Sequence, residues 1–292
     1  MSSSSDGSIH RWTKDGKPIG KPWVSDGGVV GSIGVSPDET MVVSGSADGR
    51  LRLWNIKEGK MVGNPWKGHN DAVICLNWSP DAVEIATGSY DGTIRRWNPD
   101  TGRQIAPLIK TSHGWVYAVK YSPQGDKFAS GGSDKMIRLW SKKGELLVEI
   151  KGHADAVTSL CWSKDGTRVF SASSDCTIRT WQSSDGKELI VLRGHTKAVT
   201  SLCLSPDESH LISASRDCSV RIWNLETNQP VGDPLLHDGE LLALAMSVDG
   251  NYVVGAQLYA KAYVWSLEAV LKQQGCDQVG VRIHRYCYWR LH

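Results

Sequence analysis

The sequence predicts an all-β fold, a ring of repeated blades, each blade a four-stranded antiparallel sheet. Three observations predict it. One nine-residue phrase recurs: SADGRLRLW ends at Trp54, SYDGTIRRW at Trp97, SSDCTIRTW at Trp181 and SRDCSVRIW at Trp223. Aligned on that closing residue, Trp12, Trp54, Trp97, Trp140, Trp181, Trp223 and Trp265 are spaced by 42, 43, 43, 41, 42 and 42 residues. The segments between them read as short strands rich in β-branched and aromatic residues, separated by Gly, Asp and Pro turns. A period near 42 with four strands per unit marks a β-propeller blade.

The unit around Trp97 shows each element in order. Residues 71–78 (DAVICLNW) read as a first strand, and SPD at 79–81 as a tight turn with Pro and Asp where turns favour them. A second strand, VEIATGS, runs into the turn YDG. A third strand, TIRRW, is followed by the turn NPDTG and a short fourth strand, RQIAPLI. Only residues 266–274 (SLEAVLKQQ) read as helical.

Composition fits a globular chain of 292 residues, 40% hydrophobic and 22% charged. A formal charge of +2 gives no general reason to expect nucleic acid or an acidic membrane as partner. The opening MSSSSDGSIHRW lacks the apolar core of a secretory signal, and no run approaches the roughly 18 apolar residues of a membrane span. Seven Cys without paired CxxC spacing indicate neither a disulfide frame nor a zinc site. The expected location is intracellular and cytoplasmic, with the nucleus as the alternative.

Further positions recur with the Trp. Six residues before it stands Asp6, Asp48, Asp91, Asp134, Asp175 or Asp217, replaced in the last copy by Tyr259. Four residues before each Asp stands Ser44, Thr87, Ser130, Ser171 or Ser213, with Gly255 in the last copy. About 22 residues before the Asp comes His69, His113, His153 or His195, usually written GH; Asp26 holds that place in the first full copy and His237 in the last.

This pattern of GH, Ser/Thr, Asp and a strand closed by Trp resembles the WD-repeat (WD40) family over residues 5–265. The resemblance implies that four sets form hydrogen-bonded structural tetrads: His69, Thr87, Asp91 and Trp97; His113, Ser130, Asp134 and Trp140; His153, Ser171, Asp175 and Trp181; His195, Ser213, Asp217 and Trp223. A His–Ser–Asp set also suggests a hydrolytic triad. A catalytic set is needed once, however, whereas this one occurs whole four times. No catalytic residue, cofactor or metal site is expected, and the chain is read as not an enzyme.

The Arg two residues before each Trp (Arg52, Arg95, Arg138, Arg179, Arg221) forms either a nucleic-acid stripe or a solvated, acid-paired row. With 33 basic against 31 acidic residues, the second is expected. The Cys follow the repeat as well, Cys161 with Cys203 and Cys176 with Cys218 each 42 apart, and read as small apolar fillers.

Positions that keep the repeat serve folding, so function is sought where the repeat breaks on the surface. The family resemblance places three top-face positions on each blade. Most are small here, but Tyr90, Trp115 and Tyr117 stand out on neighbouring blades, with Ile74 beside them and Arg216 and Glu240 as a polar flank. They are the expected partner-binding residues, since interface hot spots are enriched in Trp, Tyr and Arg. The competing reading packs Trp115 and Tyr117 between blades.

Organisation follows the same count. Residues 1–25 read as a partial blade supplying its outer two strands, 26–274 as six repeats, and 275–292 as an atypical tail that offers closing strands. Seven blades are expected, with six blades or an incomplete ring as alternatives. The expected function is a non-enzymatic scaffold binding peptides or protein partners on the top face, monomeric unless the ring is open. A ligand-sensing propeller within a larger signalling receptor is the second reading.

Overall fold

The computed structural model describes residues 1–13, 17–257, 261–272 and 283–284. The chain is an all-β propeller of seven sheets, each a run of sequential antiparallel neighbours. Blade 4 is typical: Val116–Tyr121 lies innermost, followed outward by Lys127–Gly132, Ile137–Ser141 and Leu146–Ile150. Blade 6 carries two short outer strands, Gln229–Pro230 and Leu235–Leu236, both paired with its third strand. The single helix among the described residues, Leu267–Lys272, lies within the expected 266–274.

The alternation of each strand explains how blades join. Apolar residues of one blade meet those of the next, so the core is divided into six clusters linking seven consecutive blades. The cluster between blades 4 and 5, for example, joins Ile137 and Ile150 to Val157, Leu160 and Trp181. Hydrogen bonds reinforce these joints: Trp78 donates to the Gly34 carbonyl and Trp162 to that of Lys120, both at 3.0 Å.

The ends of the ring differ from the sequence expectation in two places. Blade 1 contains three strands rather than two, because Ser2–Ser3 pairs with Ser8–His10, which in turn pairs with Trp23–Val24. A two-residue Ser strand carries no apolar alternation, so nothing in its sequence announces it. Most of the tail 275–292 lies outside the described residues. Ile283–His284, its described part, pairs with Lys261 and Ala262 as the outermost strand of blade 7, not as an inner strand of blade 1. Tyr259 also lies outside the described residues.

One irregularity recurs in every first strand that follows the N-terminal blade. The register slips one residue after the strand begins, between Val73 and Cys75, Val116 and Ala118, or Val157 and Ser159. A bulge leaves one residue unpaired and re-aims its side chain. That residue is Ile74, Tyr117, Thr158 or Thr200 in successive blades. In blades 5 and 6 it ties the ring, with Thr158 Oγ1 donating to the Val199 carbonyl at 2.5 Å and Thr200 Oγ1 to that of Leu241 at 2.7 Å.

Candidate interaction face and the tetrads beneath it

The four tetrads form as continuous chains. Indole N–H is a donor only, so each Trp Nε1 must donate to the hydroxyl: Trp97 to Thr87 and Trp223 to Ser213 at 2.9 Å, Trp140 to Ser130 and Trp181 to Ser171 at 2.8 Å. The hydroxyl proton then goes to the His Nε2, 2.8 Å away at His69, His113 and His195 and 2.7 Å at His153. With Nε2 accepting, the ring proton sits on Nδ1 and is donated to the carboxylate of Asp91, Asp175 or Asp217 at 2.9, 2.8 and 2.8 Å; His113 Nδ1 lies 2.6 Å from Asp134 and is also approached by the Arg138 guanidinium at 2.8 Å. The serine hydroxyls lie in the buried middle of these chains, where no substrate reaches them.

The Gly of GH has its own cause. A Cβ on Gly68 or Gly152 would lie 2.6 Å from the far edge of the Trp97 or Trp181 ring. Glycine lets that indole lie flat beneath the loop.

Each Asp also closes its turn. Asp175 accepts from the Thr177 amide at 2.9 Å, the Thr177 hydroxyl at 2.6 Å and the Ala154 amide at 2.8 Å. Burial by itself would raise its pKa, but the bonds from His153 and Thr177 prevail and hold it well below the ordinary carboxylate range; Asp91 and Asp217 behave alike. Burial holds His69 and His113 below the usual imidazole value, against the pull of their Asp partners. Both kinds of shift leave the unfolded chain binding more protons. Stability is therefore full at neutral pH and lost as pH falls, beginning near the imidazole range and steepening below about pH 4. Thermal unfolding measured from pH 7 to pH 3 should show that profile, with a shallower acid limb in an Asp217→Asn variant.

Two blades replace the His differently. In blade 2, where Asp26 stands at the His position, Arg52 is only 1% exposed and its guanidinium bridges Asp26 at 2.7 Å and Asp48 at 2.8 Å, while Trp54 still donates to Ser44. In blade 7, His237 is flanked by Tyr263 and Trp265 at 4.7 and 5.1 Å, and its buried Nε2 has no partner among the described residues, Gly255 standing where other blades carry the hydroxyl. A sixth indole–hydroxyl pair was missed in sequence: Trp12 donates to Ser2 at 2.9 Å. Its signal was available, since Ser2 stands four residues before Asp6.

Most of the repeated Arg row is paired with acids and amides, whereas the buried Nε of Arg221 has no hydrogen-bond partner among the described residues. Arg138 reaches Asp134 and Glu149, Arg179 reaches Glu188, and Arg95 donates to Gln104. Cys75 is buried, and burial pushes its thiol up to about 12. Cys161 and Cys203 are half-buried on the inner strands of blades 5 and 6. The described cysteines are all free, and no group of three or more metal-binding side chains occurs among the described residues.

The residue before each turn Asp donates its amide to the carbonyl at the start of the first strand: Tyr90 to Ala72 at 3.1 Å, Ser133 to Trp115 at 3.0 Å and Arg216 to Ala198 at 3.0 Å. The expected top-face positions thus share one end of each blade. There Tyr90 of blade 3 meets Trp115 and Tyr117 of blade 4. Ring centroids lie 5.2 Å apart for Tyr90–Trp115, 6.3 Å for Tyr90–Tyr117 and 6.2 Å for Trp115–Tyr117, the last two edge to face. Trp115 is 44% exposed and both tyrosines are half-buried. Arg216 faces Glu240 at 3.9 Å across two blades, with both side chains about one-third exposed. Ile74 is half-buried on the bulge of blade 3.

Five copies of the WD domain, G-beta repeat match residues 19–55, 59–98, 106–141, 144–182 and 186–224. With a seven-bladed propeller held by these tetrads, the chain belongs to the WD40 family. No curated protein matches the sequence significantly. Propellers of this family are generally scaffolds for protein interaction.

Proposed function

We propose that this propeller is a non-enzymatic scaffold that docks a protein or peptide partner on the face formed by Tyr90, Trp115 and Tyr117. One observation carries the reading: three aromatic rings from adjacent blades gather at positions where the repeat is otherwise small, with Trp115 open to solvent. Half-open aromatics of this kind supply large contact area at low conformational cost. Arg216 and Glu240 give a polar flank at which a partner's charges are oriented, and Ile74 extends the apolar patch. An intracellular setting belongs to the same reading, since free cysteines persist where thiols are kept reduced.

The test is affinity capture from a lysate of the source organism, with a captured partner then titrated against both proteins. Trp115→Ala is expected to cost about 2 kcal/mol of binding, a factor of about 30 in Kd. Equal affinity of wild type and variant for every captured partner would refute the assignment of this face.

A further inference from the structure

The charges around the aromatic rings are unevenly paired. Ala72, Trp115 and Ala156 are equivalent in hydrogen-bonding register: each carbonyl accepts the amide of the residue before its blade's turn Asp, at 3.1, 3.0 and 2.9 Å. The residues preceding them, Asp71, Gly114 and Asp155, are therefore equivalent too. Blade 4 thus carries its exposed Trp behind a bare Gly, and the blades on either side carry an exposed acid at that position.

Both acids are fixed in place. Asp71 Oδ1 accepts the Ala72 amide and Asp155 Oδ1 the Ala156 amide, each at 2.7 Å. Their main-chain carbonyls accept the hydroxyls of Ser89 at 3.0 Å and Ser173 at 2.9 Å. The turn of blade 3 packs on the entry to blade 4, where a Cβ on Gly92 would lie 2.7 Å from the Gly114 carbonyl. Around the rim the order is therefore Asp71, Tyr90, Trp115 and Asp155, with an acid on each side of the rings.

The basic side chains of this face are engaged elsewhere. Arg138 takes Asp134, and Arg216 faces Glu240. Among the described residues no basic side chain lies within 4 Å of the Asp71 or Asp155 carboxylate. Beneath Tyr90 the tetrad adds a further negative charge: His69 is held neutral by burial, and Arg95 turns to Gln104 rather than to Asp91. Lys135, exposed on the turn of blade 4, offsets one of these charges. The phenols register the field. Burial, then Tyr117 and Asp71, push Tyr90 up to about 12, and burial and Asp155 raise Tyr117 against the pull of Arg216.

We propose that the partner docks through a basic segment, laying the stem of a lysine or arginine on Trp115 with its cation in the field of the Asp71 and Asp155 carboxylates. A cation over an aromatic ring is drawn to the ring's negative face, and long basic side chains cover apolar surface with their stems. An acidic segment would meet like charges instead, which suppresses binding. The inference rests on the docking face proposed above and adds the charge of what docks there.

The probe is a library of random dodecapeptides displayed on phage and selected on the full chain. Recovered peptides are synthesised and titrated against the wild type, Trp115→Ala and an Asp71→Asn/Asp155→Asn double variant. Asparagine keeps the Oδ1 acceptor at both exposed positions, so the fold is expected to survive. Peptides weakened by Trp115→Ala should share a Lys or Arg, and replacing that residue with Gln should weaken binding to the wild type at least about tenfold. The double variant should weaken the parent peptide by a similar factor and leave the Gln peptide unchanged. Trp115-dependent peptides that are neutral or acidic, or that bind the double variant as tightly as the wild type, would overturn this inference and leave the docking face standing. Recovery of no Trp115-dependent peptide would refute the face and this inference together. Should the double variant fail to fold, the composition of the selected peptides and their Gln replacements decide alone.

Discussion

Trp181→Ala is expected to lower the stability of the propeller by about 3–5 kcal/mol, the largest loss of any single truncation proposed here. The side chain is 1% exposed, so its removal opens a cavity in the joint between blades 4 and 5. The loss spreads beyond packing. Without the indole donor, the Ser171 hydroxyl keeps its bond to His153 but loses the partner that orients it. The edge-to-face contact with His153 at 5.8 Å and the Arg179 guanidinium over the ring at 6.0 Å go as well. Urea unfolding followed by far-ultraviolet circular dichroism measures the change. A loss below about 1 kcal/mol would show that the tetrad indoles are not what holds neighbouring blades together.

Glu84→Ala is expected to cost about 3 kcal/mol through a different mechanism, the stranding of buried polar groups. Glu84 is 3% exposed, accepts from the Tyr121 hydroxyl at 2.9 Å and faces the Arg96 guanidinium at 3.7 Å. Burial, then the adjacent carboxylate, pushes the Tyr121 pKa strongly upward, so the phenol stays a neutral donor throughout the physiological range. Removing the carboxylate leaves that hydroxyl and the guanidinium without their shared acceptor. Arg96 keeps its bonds to the carbonyls of Lys142 and Lys143, which caps the cost. Glu84→Gln retains an acceptor and should lose about half as much. The same unfolding measurement ranks the two, and an equal loss in both would assign the effect to shape rather than hydrogen bonding.

Tetrads and blades were legible in the sequence because spacing alone identifies them. Asp91 stands six residues before Trp97 in a hairpin whose register is fixed by one short turn, so the linear pattern carries the geometry. The exchange in blade 2 was half legible. Asp26 at the His place was visible, but that Arg52 turns inward to bridge it was not, because an Arg beside Leu51 reads equally as a solvated position. Glu84 was invisible for a similar reason: its partners Tyr121 and Arg96 come from separate strands, and Lys127, Arg168 and His210 fill its place in other copies. The bulge at Tyr117 also escaped the sequence, since a one-residue slip changes which way a side chain points without changing its alternation. Tyr90, Trp115 and Tyr117 were nevertheless singled out together, because breaking a repeat is itself a sequence signal.

The central claim is that recurring Trp residues hold the fold while a Trp that breaks the repeat is free to bind. Differential scanning calorimetry of Trp115→Ala beside Trp181→Ala tests it most directly, since the same residue type is truncated in the same way at both places. The account predicts a drop in Tm of several degrees for Trp181→Ala, at about 2–4 °C per kcal/mol, and a drop of no more than about 2–4 °C for Trp115→Ala. Equal drops in the two variants would mean that Trp115 is a packing residue like the others, and the binding face would have to be sought elsewhere.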